Sequence, residues 1–249
     1  MFLKLKKSIL KQDFYPTFLG LFVNPFYFAR KGLLQHISKL GPQVRGRTLD
    51  VGCGTKPYRS YCNTSEYVSL EIEGTGKSAD VYYDGKVFPF RAGEFDSVLT
   101  TQVLEHVFNP DEFLFEINRV LKEGGILLLS VPFLWDEHEQ PFDYARYSSF
   151  GIHHLLQHHG FEVIEHRKSM SDVRVIFQMI NAYIYKKTVT RNPWLNLLLT
   201  LILMTPFNLL GEALHGFCPR NADLYLDNIV LARKTQLQEQ SRGKEDLRR

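Results

Sequence analysis

The stretch Leu49-Asp50-Val51-Gly52-Cys53-Gly54-Thr55-Lys56-Pro57 holds the residues best suited to recognising a charged, nucleotide-like ligand. Glycines directly after an apolar run let the backbone turn tightly and approach a ligand with no Cβ in the way. A dinucleotide fingerprint would also need a third glycine, and Pro57 stands there instead, which argues against NAD and FAD. Asp50 would repel a diphosphate but suits a ligand with an ammonium group, such as the methionine end of S-adenosylmethionine. Replacing Asp50 by Ala should remove that ammonium partner, and replacing Gly52 by Val should put bulk into the ligand's path. Glu71 follows the loop by about 20 residues, where an acid can accept both hydroxyls of an adenosine ribose. Asp84-Gly85, after a further apolar run, can offer a carboxylate and an uncovered backbone amide to an adenine edge. Together these groups describe one adenosine-bearing ligand lying across successive strand ends.

The elements needed to hold such a row are strands feeding one edge of a sheet. From Arg47 onward, short apolar runs alternate with helical stretches, the pattern of βα units and a largely parallel sheet. Strands are expected at Thr48 to Val51, Tyr67 to Ile72, Val81 to Tyr83, Phe95 to Thr100, Ile126 to Val131, Phe161 to Glu165 and Leu224 to Ala232. Helices are expected from about Pro57, from Asp111 to Leu121 with Gly124-Gly125 as its stop, and from Ser148 to His159. The domain organisation read this way is an N-terminal helical lid at 1–40, a ligand-binding core at 41–170, a hydrophobic helical insertion at 171–218, the final strand at 219–233 and a disordered charged tail at 234–249.

The residues that carry a family likeness are Leu49-Asp-Val-Gly-Cys-Gly-Thr, Asp84-Gly85, Phe88-Pro89-Phe90, Glu94-Phe95-Asp96-Ser97-Val98-Leu99, Val103-Leu104-Glu105-His106-Val107 and Glu116-Ile-Asn-Arg-Val-Leu-Lys-Glu-Gly-Gly125. In order and spacing this set resembles the class I S-adenosylmethionine-dependent methyltransferases of the type 11 group, over about Gly41 to Arg167. The resemblance implies a doubly wound, Rossmann-like α/β fold with a seven-strand sheet and helices on both faces. It implies that Asp50, Gly52, Cys53 and Gly54 line the methionine and ribose, that Glu71 holds the ribose, that Asp84 and Gly85 border the adenine, and that Gln102 lies beside the cofactor. Lys56-Pro57 departs from the further small residue of many relatives, which would narrow the far side of the loop.

Methyl transfer is an in-line displacement at a sulfonium carbon, so alignment and a deprotonated nucleophile matter more than elaborate acid–base machinery. The family likeness places the turn after the fourth strand and the segment after the fifth above the cofactor. That makes His106, His138, Asp143 and Tyr144, with Arg146 and Tyr147 beside them, the candidates for handling an acceptor. His138 is the first choice for taking a proton from a hydroxyl, because imidazole titrates near neutral pH. A structural role is the alternative for His138, and a helix-start hydrogen bond is the alternative for His106. His153, His154, His158 and His159 fit a solvated helix end.

Trp194-Leu-Asn-Leu-Leu-Leu-Thr-Leu-Ile-Leu-Met204 and Phe207-Asn-Leu-Leu-Gly-Glu-Ala-Leu214 are too apolar for a solvated loop. The uninterrupted run is shorter than the roughly 20 residues a spanning helix needs, and Pro206 should break its continuation. No transmembrane span is expected. Either an interfacial helix pair, with Lys186, Lys187, Arg191 and Trp194 at headgroup level, or a lid or subunit-contact helix would cover these leucines. The first ten residues, with Lys4, Lys6 and Lys7 among apolar ones, make a poor export signal and a better amphipathic helix. Cys53, Cys62 and Cys218 form no pairing pattern and no metal-ligand spacing with histidines, so a reducing cytoplasm and no metal are expected. A net charge of +3 without a basic stripe argues against nucleic acid. The overall expectation is a methyltransferase acting, at oxygen first of all, on a small-molecule, glycan or lipid-linked acceptor. It would work in the cytoplasm with contact to the inner membrane face, and a homo-oligomer is compatible with it. Carbon or nitrogen methylation of a quinone-like or other small molecule, and a non-catalytic module that keeps the cofactor fold, are the alternatives.

Overall fold

A computed structural model describes residues 2–235. Seven strands form one sheet: β1 (Arg45–Val51), β2 (Asn63–Ile72), β3 (Val81–Tyr83), β4 (Phe95–Thr101), β5 (Leu121–Pro132), β6 (Phe161–Lys168) and β7 (Asp227–Lys234), in the order β3-β2-β1-β4-β5-β7-β6. The first five run parallel, and β7 is antiparallel to both β5 and β6. The chain winds outward in both directions from the β1–β4 pair, so their carboxyl ends bound the crevice in which ligands of open α/β sheets bind.

Central strands carry apolar residues on both faces because both faces are covered. On one side Val98, Leu127 and Leu129 pack against Leu114 and Ile117 of α4 (Pro110–Val120) and Ile152 and Leu156 of α5 (Ser149–His158). Ser148 caps α5, its hydroxyl accepting the Gly151 amide. On the other side Leu99, Leu128, Ile229 and Leu231 meet Leu33, Ile37 and Leu40 of α3 (Tyr27–Leu40). The N-terminal region is therefore more than a lid: α1 (Phe2–Lys11) and α2 (Gly20–Val23) precede a helix that supplies one face of the core.

Three expectations change. No α-helix follows Pro57; residues 52–62 are all that separate β1 from β2, and they hold only a 3-10 turn at Arg59–Tyr61. The glycine loop and that turn take up the return run from β1 to β2, and its buried Tyr58 packs with Leu33, Ile37 and Leu40 of α3. Gly124-Gly125 does not stop α4, which ends at Val120; the pair lies within the opening of β5, with Gly124 at φ +73° and the register slipping from Phe95↔Leu121 to Ser97↔Ile126. The last strand starts at Asp227 and runs through Lys234, which therefore belongs to the sheet, and the rest of the tail expected there, residues 236–249, lies outside the described residues.

The insertion between β6 and β7 differs most. It forms α6 (Arg174–Thr188), then α7 (Pro193–Leu199) and α8 (Thr205–Leu214) joined by one π turn at Thr200–Met204, making a single helix over Pro193–Leu214. Pro206 does not break it. Proline lacks an N–H and crowds the carbonyl four residues back. The π turn bonds the Thr205 amide to the Thr200 carbonyl instead, and the Thr205 hydroxyl also reaches Thr200 O at 3.1 Å and Phe22 O at 2.9 Å. By length and composition this helix could cross a membrane, contrary to expectation, yet one side of it is seated on protein. Buried Asn208 gives Nδ2 to Leu21 O (2.9 Å) and Asn24 O (3.1 Å) and accepts from Asn181 Nδ2 (2.9 Å). Gly211 lies so close to Phe28 that a Cβ would sit 2.6 Å from its ring. The other side exposes Trp194, Leu195, Leu198, Leu201, Ile202, Leu209 and Leu210.

Candidate active site

The glycine loop leaves β1 with Gly52 at φ +67° and Gly54 at φ +52°, conformations that favour residues without a Cβ. The two glycines do different work. A Cβ on Gly52 would stand 2.5 Å from Val103 Cγ2, whereas one on Gly54 would meet nothing within 4 Å. Gly52 is thus needed for the loop to pack on the turn after β4, and Gly54 faces open space. The expectation that bulk at position 52 would meet the ligand is corrected: it meets Val103 first.

The three acids stand at the ends of adjacent strands. Asp50 is buried and accepts a hydrogen bond from the Tyr67 hydroxyl; burial pushes its carboxyl up to about 7, with Glu71 adding to the rise and Lys56 opposing it. Glu71 is buried too, and its Oε2 accepts the Gly54 amide at 3.0 Å, tying the loop to β2. Asp84 is exposed at the end of β3, its Oδ1 accepting the Lys86 amide at 3.0 Å, with Gly85 at φ +86° beside Ile72. Cys53 is buried between the glycines, and its thiol is pushed up to about 11 by burial and by Asp50. Gln102 turns the chain after β4 at φ +56°, fixed by its amide to Ser130 O (2.9 Å) and its Nε2 to Ser130 Oγ (3.2 Å).

A cavity of about 470 Å³ runs from Gly52, Cys53, Gly54 and Gln102 to His106 and His138, with Trp135, Phe14, Phe26 and Tyr185 among its walls. The rings of His106 and His138 lie 4.7 Å apart, one edge to the other's face. Each is oriented through Nδ1: His106 contacts Phe142 O at 2.8 Å, and His138 lies 3.3 Å from Asp136 O and 3.2 Å from Asp143 Oδ2. Burial, then the neighbouring His106, holds His138 below the usual imidazole range.

Asp143 and Tyr144, expected beside the acceptor, do not line the cavity. Asp143 is clamped by Arg146 through two contacts of 2.6 Å and accepts the His138 amide at 2.8 Å; the clamp holds its carboxyl down at about 2, so it shapes the loop. Tyr144 is 45% exposed, with its ring against Phe108.

Several lining residues escaped sequence reasoning. Asp227 reaches the cavity because β7 is antiparallel, which brings its first residue level with Pro132 at the carboxyl end of β5. It is buried against Ser169 Oγ (2.6 Å), and burial pushes its carboxyl up to about 6. Arg30 comes from α3, and Lys186 from α6 binds Asp136 at 3.1 Å. Glu105, seen only as part of a motif, does not line the cavity but is fully buried next to His106; neither carboxylate oxygen has a hydrogen-bond partner outside its own residue, and burial pushes it up to about 8.

An open sheet with acids at three consecutive strand ends and a glycine turn at the switch point defines an α/β protein that takes an adenosine-bearing ligand. The chain matches the methyltransferase domain family over residues 26–166, more than half its length, and belongs to that family. It is an S-adenosylmethionine-dependent methyltransferase of class I fold. It is 30% identical over 122 residues to the ubiquinone biosynthesis O-methyltransferase of Maricaulis maris, a match covering 41% of this chain and 47% of the relative. It is 32% identical over 107 residues to an uncharacterized protein of Methanocaldococcus jannaschii, covering 41% of this chain and 49% of that one. The chain thus spans about half the length of these relatives. Among solved structures it is similar in fold to Haemonchus contortus phosphoethanolamine N-methyltransferase 2 in complex with S-adenosyl-L-methionine, at TM-score 0.54 and 17% identity over 92% of this chain and 57% of that one. The open space over Gly54 and the charged strand ends fit such a cofactor.

Two valine variants separate the glycines. Gly54→Val should stay folded, at a cost of about 1–2 kcal/mol for the left-handed backbone, and lose S-adenosylmethionine binding by calorimetry. Gly52→Val should lower the melting temperature more, because Val103 must move. Equal stability of the two variants, or undiminished affinity in Gly54→Val, would contradict this division.

Proposed function

We propose that this methyltransferase acts on an oxygen of an amphiphilic small acceptor, such as a lipid-linked intermediate, while attached to an anionic membrane face. The supporting observation is the single cavity that joins the glycine loop to two imidazoles and whose aromatic wall ends on Tyr185, Lys186 and Val189, just before the exposed leucine helix. Similarity to an O-methyltransferase over part of the chain favours oxygen over carbon or nitrogen.

S-adenosylmethionine supplies an electrophilic methyl group; this chain's residues hold and align. Asp50 would meet the ammonium group, Glu71 the ribose hydroxyls, and Asp84 with Gly85 the adenine edge, with Cys53 and Gln102 flanking. His106 and His138 line the cavity and would engage the acceptor hydroxyl, the group that must lose a proton to become a nucleophile. Lys187 and Arg191 precede the leucine helix in the chain and would each add on the order of 1 kcal/mol near anionic headgroups, while Lys186 is already paired with Asp136.

Asp50 makes cofactor binding pH-dependent. A carboxyl raised to about 7 is neutral in acid, and an ammonium ligand favours its charged form. Affinity should therefore rise from pH 5.5 to 7, by up to roughly tenfold per unit, and flatten above. For the ligand-free fold the sign is opposite: a raised carboxyl contributes stability in acid that is lost as pH rises through about 7. Calorimetry across this range, with Asp50→Asn as the flat control, tests the assignment.

Methyl-labelled cofactor incubated with a polar-lipid extract should place label in the organic phase as an alkali-stable methyl ether. Label in the aqueous phase would overturn the amphiphile, and an N- or C-methyl product would overturn oxygen. His106→Ala and His138→Ala should each lower kcat by roughly 10²–10⁴ with cofactor affinity nearly unchanged.

Flotation checks the membrane contact. The intact protein should float with phosphatidylglycerol vesicles at low salt and less at high salt. A variant with Leu198, Leu201 and Ile202 replaced by Ser should stay in the soluble fraction. An intact protein that remains soluble at low salt would end this reading.

A further inference from the structure

We infer that Glu105, His106 and His138 form a binding site for one divalent transition-metal ion in the wall of the acceptor cavity. One potential ligand atom from each residue converges, all three lying within 4.8 Å of one another, and this is the one such group among the described residues. The Glu105 carboxylate is fully buried without a hydrogen-bond partner outside its own residue. A buried carboxylate left without partners calls for a compensating group, and the nearest candidate in the protein, His106 Nε2, stands 3.9 Å from Oε1.

The imidazoles are arranged as metal-bound histidines are, one nitrogen held by an acceptor so that the other is free to ligate. Phe142 O holds His106 through Nδ1, and Asp136 O with the Asp143 carboxylate holds His138 through Nδ1. Arg146 also lies 3.4 Å from His138 Nδ1, but its guanidinium is already committed to Asp143 and Asp136 O by shorter bonds. Nε2 of each ring therefore carries the lone pair. The two ligand-bearing segments are tied together, since Glu105 O accepts the amides of Tyr144 at 2.8 Å and Ala145 at 3.3 Å.

Two nitrogens and one carboxylate suit zinc, manganese or ferrous iron rather than magnesium or calcium, which prefer oxygen donors. Metal–ligand bonds of about 2.0–2.2 Å put neighbouring donors about 3 Å apart, so binding would draw the three groups inward by side-chain rotation. Three protein ligands leave positions open to the cavity. This inference rests on the oxygen-methylation reading and states how the oxygen is activated: the acceptor hydroxyl binds the ion and releases its proton to water, as metal-bound water does. The bound oxygen then takes the methyl group, an O–CH₃ bond forming as the S–CH₃ bond breaks. The sulfonium's positive charge and the oxygen's negative charge cancel, leaving thioether and methyl ether.

The test is titration of the metal-free full chain with Zn²⁺ alone by calorimetry, and with Co²⁺ alone for its visible absorption bands. One ion per chain is expected. His138→Ala and Glu105→Gln should each weaken Zn²⁺ binding by roughly 100-fold or more, and Asp143→Asn by about 10-fold as an outer-shell partner. Circular dichroism confirms that each variant is folded, and half-buried His138 gives the substitution least apt to disturb the core. Failure of Zn²⁺ and Co²⁺ to bind, or binding that His138→Ala leaves unchanged, overturns the site. If the site fails while lipid label still appears as a methyl ether, only this inference falls. If metal binds as described but the methyl goes to nitrogen or carbon, the site stands and the oxygen reading falls.

Discussion

The contact between Gly52 and Val103 governs the architecture of this site. β1 and β4 are neighbours, and each is followed directly by a residue with left-handed backbone, Gly52 and Gln102. Because Gly52 has no Cβ, the loop after β1 can lie directly on Val103, in the turn after β4. The strand order sends the two connections outward in opposite directions from this point. Glu71 then fixes the far side of the loop from β2 through the Gly54 amide. The cofactor surface is thus a property of three strand ends locked together.

The acceptor side is built from parts distant in sequence. The turn Leu104–His106 follows β4, the Trp135–Tyr147 segment follows β5, Asp227 opens the antiparallel last strand, and Phe14 to Arg30 come from the chain's beginning. Lys186 on α6 closes the ring by pairing with Asp136. The family's sheet supplies the floor, and the additions at either end of the chain supply the walls.

The leucine helix shows how polar residues can seat an apolar element. Asn208, Thr205 and the π turn bind it to α2 and α6, so its orientation is fixed from the inside. Its outer leucines are then held away from the domain. An all-apolar helix would lack that hydrogen-bonded register.

Much was legible in the sequence. Alternating apolar runs marked all seven strands, since a buried parallel strand has to be apolar along its length, and Val81–Tyr83 falls where expected. Asp50, Glu71 and Asp84 were readable because strand-end position follows from local pattern. What local pattern could not carry was anything decided by long-range packing. Whether a helix forms after Pro57 depends on how the chain between β1 and β2 is divided between loop and turn. Whether Pro206 ends a helix depends on a π turn that Phe22 and Asn208 help to hold. The meeting of Glu105, His106 and His138, and the arrival of Asp227, depend on which strand ends share an edge. Residue type and spacing determined the fold and the cofactor; the tertiary structure decided the acceptor cavity, because its walls come from segments that only the assembled sheet brings together.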